Sequence, residues 1–432
     1  MQEKKLLHKL GETREKLVVM MERLQTGTPK YEWPHVRGAN QDGFTDVSCG
    51  KGSYMVLFLS EDQHLYAFDL KGKQLWSQKI EGGIDVYSRH VYTPAVIDHT
   101  IYITGKEGML YALDFEGQVK WGKKIENSYY DNPTSPVIKK DMIAFGQNND
   151  AFLIDLNGNL IWKVEGKGSY HSPPVLLDDL ILFQKGYSPD SLIALDYNGN
   201  DKWHFDATIN QSHSPVVEGG VIYISTKEYG LCALDLQGNK MWNFKIPGLP
   251  DAELSAPVIK GDRIIFNYQG PNNSGTIAIN KRGDIIWKKR LYRFGSFHST
   301  LPPTLYKDII LIPSDTKIFA CDWDGNLLWG DSVHGGEVSS LSVINGFAVF
   351  TNGYGRIIAI DPDTVIRASS ITKNPLYLLI IYIMNKSLRM PKELWQFDQC
   401  GEKTYEQTMP IIVRVNREYR MNRHINNVLL VK

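Results

Sequence analysis

Cysteine is scarce in this chain, with Cys49, Cys232, Cys321 and Cys400 scattered over 432 residues. No two are adjacent or form a C-x-x-C pair, which excludes a disulfide framework and the common zinc motifs. Cys232 and Cys321 stand at apolar positions and read as buried thiols. Excess charge of either sign is also missing. Lysine plus arginine and aspartate plus glutamate each number 48, with no long basic run, so bulk attraction to nucleic acid or an acidic membrane is excluded. Long apolar runs are lacking too. Near the start the longest is Leu17 to Met21, short of the roughly 7–15 residues of a secretory signal. The run Leu376 to Met384 falls short of the roughly 20 residues of a spanning helix. No transmembrane segment, signal peptide or lipobox is visible, and the chain reads as cytoplasmic. The patterns GxSxG, HExxH and GxxxxGK(S/T) are absent, which removes the common hydrolase, zincin and P-loop signatures.

What the chain has in abundance is one repeat. LYALDFEGQVKW (110–121) recurs as LYAFDLKGKQLW (65–76), FLIDLNGNLIW (152–162), LIALDYNGNDKW (192–203), LCALDLQGNKMW (231–242), TIAINKRGDIIW (276–287), IFACDWDGNLLW (318–329) and IIAIDPDT (357–364). Each copy reads as strand, tight turn, strand, with the Asp-x-x-Gly step suited to a turn whose glycine takes positive φ and closes a bulged hairpin. Two residues before the turn stand Ala67, Ala112, Leu153, Ala194, Ala233, Ala278, Ala320 and Ala359. Small residues there predict close packing on that face, and large apolar neighbours predict burial of the other.

Ahead of each hairpin lie a Ser/Thr-Pro step and a second β-rich run, as in YTPAVI then TIYITG. Four strands per unit of about 42 residues, ending in tryptophan, predict an eight-bladed all-β propeller of four-stranded antiparallel blades. Residues 1–27 predict an amphipathic helix, 28–52 a lead-in segment, and 53–432 the propeller. The first unit lacks an inner strand, which TMPIIV (408–413) supplies, so both chain ends close one blade. Trp76 to Trp329 lie 39 to 45 residues apart, but Trp395 follows after 66. Removing residues 365–391 restores the spacing. That segment reads as an extended hairpin or small helix on the rim, or as a partner-binding arm.

Aligning the units on their proline places His90, Asn132, Ser169, Gln211, Glu253, His298 and Glu406 four residues before it, with Ser339 at the matching place in the unit without proline. All eight are polar. Two places on come Tyr92, Thr134, His171, His213, Ser255, Thr300, Leu341 and Thr408, on the same face by strand alternation. Inner strands of a propeller begin beside its axis, so these positions are candidates for one channel mouth. They suit a small polar ligand, a quinone or a cation, or a solvated channel held by structural hydrogen bonds. The repeated tryptophan suits sugar or peptide binding, but one per unit at a fixed place is better explained as packing between blades.

The repeat S-P-x-V, I-Y-x-x-(S/T), L-Y-A-L-D-x-x-G-x-x-x-W resembles that of the quinoprotein-type, pyrroloquinoline-quinone-like β-propellers, and WPHVRGANQDG resembles their lead-in segment. The resemblance implies a fold that hosts several functions. It implies either a non-catalytic binding or assembly scaffold of the BamB branch, or a quinone- and calcium-dependent alcohol or sugar dehydrogenase with Glu253, Glu406 and Asn132 among its ligands. The cell envelope is the family expectation for compartment. The adjacent cysteine pair of several dehydrogenases is absent, so the scaffold branch is favoured, with a protein partner, a monomeric propeller and no cofactor. A carbohydrate-binding propeller is a third reading.

Overall fold

The computed structural model describes residues 44–45, 53–59, 63–80, 93–125, 133–168, 172–185, 191–209, 214–270, 273–292, 301–314, 317–332, 341–344, 347–351, 356–362, 392–398 and 411–415. They form eight sheets, the blades of a β-propeller. Blade 2 is a meander of Ala95–Ile97, Thr100–Gly105, Met109–Asp114 and Val119–Lys124. Blade 3 runs Val137–Lys139, Met142–Gln147, Asp150–Asp155, Leu160–Val164. Blade 4 runs Val175–Leu176, Ile181–Lys185, Ser191–Leu195, Asp201–Asp206. Blade 5 runs Val216–Glu218, Val221–Thr226, Gly230–Leu234, Lys240–Phe244. Blade 6 runs Val258–Lys260, Arg263–Gln269, Ser274–Asn280, Ile285–Tyr292. Blade 7 runs Thr304–Tyr306, Ile309–Ser314, Lys317–Asp322, Leu327–Ser332.

Blade 1 is closed by both ends of the chain. Ile411–Val415 pairs antiparallel with Ser53–Leu59, ahead of His64–Asp69 and Gln74–Lys79. Two blades depart from four strands. Phe44–Thr45 adds a parallel strand beside Ile411–Val415, and Glu253–Leu254 adds a short one to blade 6. In blade 8, after Ser342–Ile344 and Phe347–Thr351, Arg356–Asp361 pairs with Lys392–Asp398. The strands on either side of 365–391 therefore form one hairpin. The segment 365–391 itself, the helix expected over 1–27 and most of 28–52 lie outside the described residues.

The register explains the small residue of the repeat. Ala67 pairs with Trp76, Ala112 with Trp121, Leu153 with Trp162, Ala194 with Trp203, Ala233 with Trp242, Ala278 with Trp287, Ala320 with Trp329 and Ala359 with Trp395. Opposed residues share a face about 5 Å apart, so a small side chain leaves room for the indole. A bulge follows that pair in every blade, for example between Ala194 and Leu195.

The turn is built by its aspartate. In blade 4 Asp196 Oδ1 accepts the amides of Asn198 and Asn200, both at 2.9 Å, Asn200 Nδ2 donates to Asp196 Oδ2 at 3.1 Å, and Gly199 holds φ 82°. Blade 6 exchanges the two residues. Asn280 Oδ1 accepts the amides of Arg282 and Asp284, and Asn280 Nδ2 donates to Asp284 Oδ2 at 2.9 Å.

The core lies between blades. Leu65, Ala67 and Leu57 of blade 1 pack on Ile101, Tyr111 and Leu113 of blade 2, and the next six seams repeat the arrangement. Each fully buried Phe or Ile contributes about 1.5–3 kcal/mol. The inner strands start later than the sequence pattern places them. The Ser/Thr-Pro step precedes the ladder, which begins at residues such as Ala95, Val137 and Val216, because proline has no N–H to give it.

Candidate functional site

Of the eight residues expected at the channel mouth, Glu253 is described. It begins the short strand Glu253–Leu254, pairs with Gln269, and is exposed. His90, Asn132, Ser169, Gln211, His298, Ser339 and Glu406 lie outside the described residues, as do Tyr92, His171, His213, Thr300 and Thr408.

The positions two places on are not presented to a channel where they are described. Thr134 and Ser255 are buried, and Leu341 belongs to the apolar seam between blades 7 and 8. Their chemistry is structural. The Thr134 amide donates to the Gly146 carbonyl at 2.8 Å, and its hydroxyl accepts the Gly146 amide at 2.9 Å. Ser255 does the same with Asn267, at 2.9 Å in both directions. A side-chain oxygen thus stands in for the ladder acceptor beside the proline, where an orphaned amide would be costly.

Around these residues runs an inner belt of hydrogen bonds between blades. Thr104 Oγ1 donates to the Thr134 carbonyl at 3.0 Å, Ser225 Oγ to the Ser255 carbonyl at 3.0 Å, and Asn267 Nδ2 to the Leu301 carbonyl at 2.7 Å. The Ser/Thr-Pro step adds its own ties. The Thr93 amide donates to Ser135 Oγ at 2.7 Å, and Ser214 Oγ donates to the Pro173 carbonyl at 2.7 Å. The sequence carried a signal for this belt that the repeat obscured. Thr104, Ser225 and Asn267 each follow the apolar run of a second strand at the same step, in TIYIT, VIYIS and RIIFN.

An outer belt is made by the tryptophans. The indole N–H of Trp76 donates to the Phe115 carbonyl at 2.7 Å, that of Trp162 to Tyr197 at 3.0 Å, that of Trp203 to Leu236 at 2.8 Å, and that of Trp287 to Trp323 at 3.1 Å. Each acceptor is the residue after the turn aspartate of the next blade. The turn glycine lies against the same indole. A Cβ on Gly117 would sit 2.6 Å from Trp76, and one on Gly238 would sit 2.5 Å from Trp203. Glycine is therefore required by its positive φ and by the ring it carries. At the seam between blades 2 and 3 the Tyr102 hydroxyl donates to the Leu156 carbonyl at 3.2 Å, the position an indole takes elsewhere.

The titratable groups are tuned by the same structure. Burial pushes the Cys232 thiol up to about 11 and the Cys321 thiol up to about 12, which leaves both protonated and unreactive at neutral pH. Hydrogen bonds from the Asn239 side chain and backbone hold the Asp235 carboxyl below the usual range, as the Asn200 amide does for Asp196. Among the described residues no group of three or more His, Cys, Asp or Glu is placed to hold a metal ion. Of the proposed quinone and calcium ligands, Asn132 and Glu406 are outside the described residues.

No curated protein sequence matches the chain. A family described as outer membrane protein assembly factor BamB matches residues 52–203 and 153–368. Among solved structures, BamB from Moraxella catarrhalis is 18% identical with a TM-score of 0.54, covering 76% of this chain and 94% of its own. The computationally designed Ika8 protein is 14% identical, TM-score 0.57, over 74% and 99%. The dihydro-heme d1 dehydrogenase NirN, in complex with DHE, is 9% identical, TM-score 0.58, over 85% and 77%. An assembly factor, a designed protein and an enzyme thus share the fold, which carries no activity by itself. With the family match taking in strands of all eight blades, the chain belongs to the BamB family of PQQ-like β-propellers.

Proposed function

We propose that this chain is a non-catalytic scaffold of the cell envelope that holds a protein partner through its loops and channel mouth, in the assembly of outer-membrane proteins. Family membership supports the reading. The observation that carries it is the fate of the polar side chains beside the strand starts. Thr104, Thr134, Ser225, Ser255 and Asn267 all bond to their own blade or to the next. Bonded in this way, these side chains serve the fold, which supports a reading in which partner contacts are made elsewhere on the propeller.

The test has two arms. Purified protein with pyrroloquinoline quinone and calcium, assayed on alcohols and sugars with an artificial electron acceptor, is expected to give no dye reduction above the blank. Reduction that disappears in Glu253→Ala overturns the proposal in favour of the dehydrogenase. In the second arm, site-directed cross-linking in cells identifies the partner, and the complex is rebuilt from purified components. A fold-dependent complex with an outer-membrane assembly protein is expected. Binding to glycans with no protein complex contradicts it.

A further inference from the structure

One buried side chain stands apart from the inner belt. Gln147, at the end of the second strand of blade 3, has no exposed surface, and neither its Oε1 nor its Nε2 has a hydrogen-bond partner. Two other buried carboxamides, at the place Gly146 takes in blade 3, are served by the protein. Asn267 donates to the Leu301 carbonyl and accepts from Thr276 Oγ1 at 2.6 Å, and Gln184 Oε1 accepts from Ser172 Oγ at 2.8 Å. A buried carboxamide left with both ends unmade is destabilising, and native proteins satisfy most such groups.

Strand alternation fixes the surroundings. Gln147 shares a face with Phe145, and Phe145 stacks on Phe152 with centroids 5.1 Å apart and planes 2° apart. Both rings belong to the seam between blades 2 and 3, which Thr104 and Tyr102 face from the other side. Asn149, in the same hairpin, has a buried Oδ1 that is likewise unpartnered. The site lies at the end of the blade where Thr134 pairs with Gly146, the end that also carries the strand starts.

We infer that Gln147 is the buried anchor of a binding site, in the seam between blades 2 and 3, for a neutral hydroxyl group. The chemistry selects that group. Serving both carboxamide atoms takes a guest that donates to Oε1 and accepts from Nε2, which a hydroxyl does with one atom. The apolar Phe145–Phe152 stack favours a neutral guest over an ion, which would lose its hydration there. The hydroxyl has two sources, an ordered water or the hydroxyl of a sugar or polyol. The inference does not depend on the scaffold reading.

High-resolution crystals grown without polyols, and then soaked in glycerol or glucose, separate the sources. A spherical peak within about 3.2 Å of both Gln147 atoms before soaking identifies water, and its replacement by elongated density after soaking identifies the polyol. An empty seam in both crystals, or a Gln147 side chain turned to solvent, overturns the inference. Thermal midpoints of Gln147→Leu and Gln147→Met give a second reading that needs no crystal. Loss of a bound hydroxyl lowers both midpoints by about 1–3 °C. A rise in both, as expected when an unserved buried amide is removed, would overturn it.

Discussion

The seam between blades 4 and 5 and the seam between blades 5 and 6 are built from the same repeat, yet the indole covers the turn glycine in one and not in the other. In the first, Trp203 donates to the Leu236 carbonyl and its ring lies against Gly238. In the second, a Cβ on Gly283 would meet nothing within 4 Å, and Trp242 leans on Tyr223 with ring centroids 6.1 Å apart. The second seam is held by other means. Lys281 Nζ pairs with Glu218 at 2.9 Å, and the apolar cluster extends through Ile246, Leu249, Leu254 and Tyr268. The contrast teaches that the tryptophan is one way of joining blades and that its value depends on the turn it meets.

The largest expected difference comes from deleting the rings. Trp203→Ala lowers unfolding free energy by about 3–5 kcal/mol, and Trp242→Ala by about 2 kcal/mol, measured by denaturant titration. Equal losses would break the distinction between the seams. The glycines come next. Gly238→Ala meets both a positive φ and the indole and costs about 2–5 kcal/mol, whereas Gly283→Ala meets the backbone strain alone, about 1–2 kcal/mol.

The turn polar pair gives a smaller and reversible effect. Asp235→Asn removes the charged acceptor at the place where Asn239 Nδ2 now donates to Asp235 Oδ2 at 2.9 Å and leaves a weaker amide–amide pair. Adding Asn239→Asp recreates the order found at Asn280 and Asp284 and restores the midpoint. The smallest effect is on pH dependence. The folded carboxyls of Asp196 and Asp235 are held low, so their contribution is complete above the ordinary carboxylate pKa, about 3.9. It is lost as pH falls through the lowered folded value. The thermal midpoint is expected to be flat near neutrality and to fall in acid, with a shallower fall in the swapped Asp235→Asn, Asn239→Asp variant.

The repeat made the fold legible. The alternation of Ile, Tyr and Ala with the Asp-x-x-Gly step announced eight hairpins, and the match of TMPIIV to the strand starts announced that residues 411–415 close blade 1. The pairing of Arg356–Asp361 with Lys392–Asp398 was legible from the spacing of Trp395. The candidate site was less so. Alternation places Thr134 and Ser255 on the face of the residues two before them, but the chain at the proline leaves the ladder, and their hydroxyls turn back to the amides of Gly146 and Asn267. A one-dimensional pattern does not register a side chain that replaces a main-chain acceptor. Nor does it distinguish Gly238 from Gly283, because the ring that covers the first belongs to the preceding blade.

The indoles of Trp76, Trp162, Trp203 and Trp287 tie their blades to the turn of the next, and that of Trp203 does so against Gly238. A double-mutant cycle of Trp203→Ala with Gly238→Ala, run beside Trp242→Ala with Gly283→Ala, tests this tie most directly. If the indole and the glycine touch, removing the ring relieves the clash, and the first cycle shows a coupling of about 1–3 kcal/mol while the second shows about zero. Couplings of equal size in both cycles, or none in the first, would contradict it.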